Sequence, residues 1–203
     1  MKRTYQGQNR KLQALNTKNR ILQATKNLLI SVNYSEITLP QIALAAGVST
    51  PTIYALFKSK TGILKSLLDS ATEAEEFSQL VIETKSSVTL SEKLAHAAKM
   101  TKQVYSAEKE LINALQGLTG ISEELNQLQK ELEERRYSRQ EETVKLFLQD
   151  SESCQQIDLK TARDIFWTLT SRSFYHSLVV DRQWKPEDFE IFLKQLLFKI
   201  FQK

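Results

Sequence analysis

Glycine and proline are scarce in this chain, five and three among 203 residues. That leaves little material for the tight turns of a multi-stranded sheet, and an all-α fold is expected. A single cysteine, Cys154, rules out an internal disulfide and a thiolate metal cage, and it is assigned no redox role. Only two histidines are present, His96 and His176, and neither has neighbours at the spacing of a metal site or a catalytic triad. Each reads as an ordinary helix residue, with His176 a further candidate to line a pocket. Nucleophile-elbow and phosphate-loop signatures are missing too, so no catalytic residue, metal or cofactor is expected and an enzyme is the weakest reading. No apolar run approaches the ~20 residues that span a bilayer, and the first thirty residues are too polar for a signal-peptide core. A cytoplasmic protein with no membrane partner is the expectation.

What the chain does contain is 41 % apolar and 26 % charged residues, enough for a folded core in one or two domains. The charge is unevenly placed. Residues 1–65 carry ten basic side chains (Lys2, Arg3, Arg10, Lys11, Lys18, Arg20, Lys26, Lys58, Lys60 and Lys65) against Glu36 alone, a balance of +9. The remainder is at −5. A basic segment joined to a mildly acidic one points to a polyanion partner for the first part and another task for the second. The alternative is a solvated basic arm without a partner.

Residues 1–16 are rich in Gln, Asn, Lys and Arg and read as a flexible basic arm. From Thr17, Ile21, Ala24, Thr25, Leu28, Leu29 and Val32 recur at three and four residue intervals, the face of a helix ending near Ser31. Thr38 can cap a second, short helix in which Pro40 is tolerated in the first turn and Leu39, Ile42, Ala43 and Ala46 form the apolar stripe. Gly47 stands where a helix commonly stops in a left-handed residue. Ser49 caps a third helix, with Ile53, Leu56 and Phe57 inward and Thr50, Thr52 and Ala55 outward. The run Lys58 to Gly62 breaks the pattern before a longer helix over 61–81, followed by helices near 90–105, 107–118, 122–149, 159–181 and 187–202.

Two short helices joined by a glycine-bearing turn inside the basic third make a helix-turn-helix, whose second helix fits the major groove of DNA. Thr50, Pro51, Thr52 and Ala55 are then candidates for base edges and thymine methyl groups. Tyr54, Lys58 and Lys60 stand where phosphate contacts are useful, and the helix starts at Thr38 and Ser49 offer backbone N–H groups to phosphates. The run ITLPQIALAAGVSTPTIYALFKSKTGIL, from Ile37 to Leu64, resembles the signature of TetR-type regulators over about 50 residues, through I-A-x-x-A-G-V-S, T-[IL]-Y-x-x-F and x-S-K. The resemblance implies a homodimer with an N-terminal DNA-reading domain, a divergent helical domain that binds an effector, and dimerisation through the last two helices. It assigns DNA contacts to Thr38, Gln41, Thr50, Thr52, Tyr54 and Lys60. Asn33 replaces a frequent glycine, Pro51 a small residue, and no arginine projects from the second helix, so bidentate guanine readout is not expected.

The resulting organisation is a flexible basic arm (1–16), a three-helix DNA-binding domain with the helix-turn-helix (17–66), and a larger helical effector-binding and dimerisation domain (67–203). The stripe Phe189, Phe192, Leu193, Leu196, Leu197 and Ile200 is joined by Ile191, Phe198 and Phe201 on other faces, more apolar surface than one core absorbs, so residues 159–202 are expected to pair two copies. Phe77, Tyr105, Phe147, Phe166, Trp167 and Phe174, with His176, are candidates to line an effector cavity, the alternative being ordinary core packing. Arg135, Arg136 and Arg139 sit in a densely charged helix, read either as solvated i,i+4 pairs or as the seat of an anionic effector. The partners expected are double-stranded operator DNA, a second copy and a small molecule. The competing reading is a DNA-bound regulator without a ligand, governed by abundance or a protein partner.

Overall fold

A computed structural model describes residues 2–72, 75–107, 123–153 and 156–203, and its regular structure is helical. The elements are α1 (Lys2–Ser31), α2 (Leu39–Ala46), α3 (Thr50–Phe57), α4 (Lys60–Thr72), α5 (Glu75–Ser86), α6 (Leu90–Ala107), α7 (Glu123–Leu148), α8 (Leu159–Leu169), α9 (Arg172–His176), a π-helical turn (Ser177–Asp181) and α10 (Pro186–Phe201). The chain divides into two compact units, Met1–Ser70 with Lys109–Leu128, and Ala71–Glu108 with Gln129–Lys203. The first unit therefore takes in a piece of chain far beyond residue 66.

In the first unit, Ile21, Leu22, Ala24, Thr25 and Leu29 of α1 are buried where α1 packs along α2, and α2 and α3, packed on each other, contribute Ile42, Ala43, Ala46, Ile53 and Phe57. Thr25 stays dry because its hydroxyl donates to the Ile21 carbonyl one turn back, at 2.8 Å. Ile63, Leu64, Leu67 and Leu68 of α4 close the core. Leu56, expected to face inward, is 40 % exposed. An eight-residue helix buries only the narrow i,i+4 seam of Ile53 and Phe57, which leaves Leu56 at its flank.

Helix α1 begins at Lys2, so the stretch expected to form an arm continues the helix. Its Lys, Gln, Arg, Leu and Ala content favours helix and contains no proline. The helix expected over 61–81 corresponds to α4 and α5, with residues 73 and 74 outside the described part. Most of the helix expected over 107–118 and Cys154 also lie outside it.

In the second unit, α10 and α5 both pack along α6. Its core holds Leu90, Leu94 and Ala98 of α6, Val144 and Phe147 of α7, Ala162 and Phe166 of α8, and Phe189, Leu193, Leu197 and Phe201 of α10. The single helix expected over 159–181 is instead interrupted at Thr170 and Ser171. Ser171 starts a new helix by accepting the Phe174 N–H at 3.1 Å. The carbonyls released by the break find donors elsewhere: Tyr105 Oη donates to the Thr170 carbonyl at 3.0 Å and Arg136 Nη1 to that of Trp167 at 3.0 Å. Those partners, 65 and 31 residues away, carry no local sequence signal.

Candidate nucleic-acid interface

The helix-turn-helix is built from capping chemistry. Thr38 and Gln41 form a reciprocal capping box: the Thr38 N–H donates to Gln41 Oε1 at 2.8 Å, and the Gln41 N–H donates to Thr38 Oγ1 at 3.4 Å. At the other end of α2, Gly47 is left-handed (φ 61°, ψ 43°); its N–H donates to the Leu44 carbonyl at 3.1 Å and the Val48 N–H to that of Ala43 at 3.0 Å. This is the double closure of a Schellman motif, and it sends the chain out at the angle that starts α3 three residues later. Ser49 then caps α3, accepting the Thr52 N–H at 3.3 Å, with the two hydroxyls 2.8 Å apart.

Two long-range cations hold this assembly. Arg20, from α1, donates through Nε to the Ala46 carbonyl at 3.1 Å and through Nη2 to the Gly47 carbonyl at 2.8 Å. A Cβ on Gly47 would stand 2.9 Å from that Nη2. Lys60, at the start of α4, donates to the Tyr34 carbonyl at 2.7 Å and the Ile37 carbonyl at 2.8 Å, with its ammonium 4.3 Å from the centre of the Tyr34 ring. Burial pushes the Lys60 pKa down, while the two carbonyls and the ring favour its charged form. Neither role was legible in the sequence, where Arg20 counts as one more basic residue and Lys60 as a DNA contact; the partners are 23 to 27 residues distant.

Gly62 lets α4 start close to α3. A Cβ there would fall 1.9 Å from the Phe57 carbonyl oxygen, and its N–H donates to Ser59 Oγ at 3.1 Å. Lys58, the residue after α3, has φ 67° and ψ −43°, a backbone region unusual for a side chain larger than glycine.

The surface this leaves consists of Pro51, Tyr54, Ala55, Leu56 and Lys58, exposed, with Thr50 and Thr52 half-buried. Tyr54 is 53 % exposed. Thr38, Gln41 and Ser49 are exposed at the helix starts. Prolines at positions 40 and 51 remove one N–H from each first turn and the caps occupy those of Gln41 and Thr52, so Leu39 and Thr50 hold the backbone N–H groups that find no acceptor among the described residues. The expected residues thus gather on one element pair, except that Lys60 has its ammonium turned to the α1–α2 loop.

The candidates for an effector cavity fall into separate clusters. Phe147 packs edge-on against Phe166 and Phe201, with ring centres 5.3 and 5.6 Å apart. Tyr105 meets Tyr175 at 5.5 Å, and Phe174 meets Phe189 at 6.0 Å. Trp167 lies 5.0 Å beneath the Arg136 guanidinium, and Phe77 is half-exposed on α5. His176 is buried with Nδ1 3.3 Å from Asp181. A groove of about 630 Å³ is lined by none of these seven but by α5, α6 and the start of α10, including Glu76, Glu83, Lys99, Lys102 and Glu187. Arg136 is committed to Glu133 at 2.7 Å and to the end of α8. Among the described residues no helix is long and apolar enough to cross a membrane.

A capped helix pair presenting the second helix to solvent on a basic unit defines a helix-turn-helix DNA-binding protein. Residues 21–67 match the model of the bacterial regulatory proteins of the tetR family, so this stretch of the chain is a TetR-type N-terminal domain. No curated protein matches it in sequence. In fold it is similar to FadR of Bacillus subtilis in complex with stearoyl-CoA (21 % identity over 88 % of this chain and 96 % of that one, TM-score 0.70). It is also similar to NalD of Pseudomonas aeruginosa, the secondary repressor of the MexAB-OprM multidrug efflux pump (21 %, 92 % and 96 %, TM-score 0.71). A putative TetR-family regulator of Syntrophomonas wolfei resembles it likewise (19 %, 89 % and 92 %, TM-score 0.74).

Proposed function

We propose that this regulator is a cytoplasmic repressor that binds a palindromic operator as a homodimer and is released when a small molecule binds its second unit. The observation behind the reading is α3 itself: a short helix, capped at both ends, whose buried seam of Ile53 and Phe57 leaves Thr50, Pro51, Thr52, Tyr54 and Ala55 to meet the major groove. Lys58 and the Leu39 and Thr50 N–H groups serve phosphates. With no arginine on α3, the readout rests on threonine hydroxyls and methyls and on Ala55 against thymine, which favours an operator rich in A·T pairs at the contacted positions.

The homodimer reading is supported by α8 and α10, which keep Ile165, Leu169, Phe192, Leu196, Phe198 and Ile200 only half-buried and Ile191 exposed. The effector reading is supported by fold relatives, one in complex with stearoyl-CoA and another, from Saccharomonospora viridis, with choline. Ligands so unlike one another show that the fold leaves effector chemistry open. The test is selection of bound duplexes from a random pool: winners should be inverted repeats with half-sites one helical turn, ~34–36 Å, or a multiple apart. Failure of any duplex to outcompete the starting pool would overturn the reading.

A further inference from the structure

Arg20 looks, in sequence, like one more cation for the DNA backbone, but Nε and Nη2 of its guanidinium are already engaged. Nε reaches the Ala46 carbonyl and Nη2 reaches both that carbonyl and Gly47, the residue on which the chain turns from α2 into α3. The carbonyls at a helix end lack internal partners and carry the negative end of the helix dipole, so a planar cation from a neighbouring helix is well matched to them. Its planar fork sets Nε and Nη2 on the Ala46 carbonyl together, a rigid two-nitrogen grip that a lysine ammonium on its flexible stem does not reproduce. Gly47 supplies the other half of the device: its φ of 61° is left-handed, and the Cβ it lacks would meet Nη2 at 2.9 Å.

We propose that Arg20 is a positioning residue for DNA recognition: it fixes the turn that aims α3 and makes no phosphate contact of its own. The proposal rests on the helix-turn-helix reading above and adds to it a residue from α1, outside the motif. It separates two consequences that a phosphate contact would join. Losing the guanidinium frees the aim of α3, so discrimination between a selected duplex and a random one falls, while the number of counterions released stays the same.

The experiment compares the parent chain, Arg20→Ala, Arg20→Lys and Gly47→Ala on two duplexes, one selected from a random pool and one of equal length with scrambled sequence, across a salt series. Circular dichroism establishes that each variant is folded. Arg20→Ala is expected to lose about tenfold in affinity for the selected duplex, the scale of a charge-assisted hydrogen bond. Its loss on the scrambled duplex should be much smaller, with an unchanged slope of log affinity against log salt. Arg20→Lys, which keeps the charge and serves as the folded comparison should alanine unfold the unit, is expected to lose nearly as much. Gly47→Ala should be less harmful in the Arg20→Ala background than in the parent. A slope shallower by about 0.9 per subunit would mark a phosphate contact and overturn the proposal. So would a lysine variant that binds like the parent. A parent chain that selects no duplex would instead sink the DNA-binding reading.

Discussion

Lys58 and Gly62 stand four residues apart and answer opposite demands. Lys58 occupies a backbone conformation suited to glycine, while Gly62 occupies one any residue could adopt but in a space none can enter. Replacing Gly62 by alanine forces its Cβ onto the Phe57 carbonyl and is expected to destabilise the N-terminal unit by about 3 kcal/mol, read from denaturant unfolding. Lys58→Gly should act in the reverse sense on stability, adding about 1 kcal/mol by relieving the left-handed backbone. The same change removes an exposed cation beside α3 and should flatten the salt dependence of DNA binding by about 0.9 per subunit. Stability rising while binding weakens is the signature of a strained residue kept for its charge; both quantities falling together would contradict that account. Sequence reasoning placed Lys58 among the phosphate contacts beside the second helix, yet could not see its backbone, because lysine carries no signal for positive φ.

At the level of elements, local chemistry was readable and distant chemistry was not. Thr38, Pro40, Gly47 and Ser49 act within four residues of where they stand, and the bounds of α2 and α3 follow from them. The interruption between α8 and α9 depends on Tyr105 and Arg136 donating hydrogen bonds to the exposed carbonyls, so periodicity carried the expected helix straight through it. A second distant tie joins α6 to the chain just beyond α7, where Lys93 Nζ meets Asp150 Oδ2 at 2.7 Å with side chains only 11 % and 7 % exposed. The Lys93 hydrogen bond holds the Asp150 carboxyl below the usual carboxylate range. A depressed carboxylate pKa stabilises the fold above its unfolded value and loses that contribution as pH falls through the folded value. The tie should therefore be intact at neutral pH and fade progressively as the pH drops beneath the ordinary carboxylate range. Lys93→Met, which strands the carboxylate, is expected to cost about 3 kcal/mol at pH 7, with parent and variant converging in acid; a difference that survives at pH 2 would show the loss to be one of packing.

For the molecule as a whole, the charge division between the basic first third and the acidic remainder was visible from composition, and so was the apolar excess of the last helices. What could not be read was which aromatic side chains those helices spend internally: Phe147, Phe166 and Phe201 interlock, and Tyr105 and Phe174 join a different group around Tyr175 and Phe189. Ile191, 57 % exposed on α10, is the side chain best placed to report on pairing. If the proposed homodimer forms through this face, Ile191→Glu should leave the fold intact and shift sedimentation at micromolar concentration from twice the monomer mass toward the monomer, since a carboxylate cannot be buried unpaired at a subunit contact. Operator affinity should fall with it.

A count of basic residues overstates how many cations this protein can lend to a nucleic acid. Arg20 and Lys60 already donate to main-chain carbonyls before any duplex arrives. On the proposed role of Arg20, fewer sodium or potassium ions should be displaced on association, and occupancy of the target should vary less steeply with ionic strength.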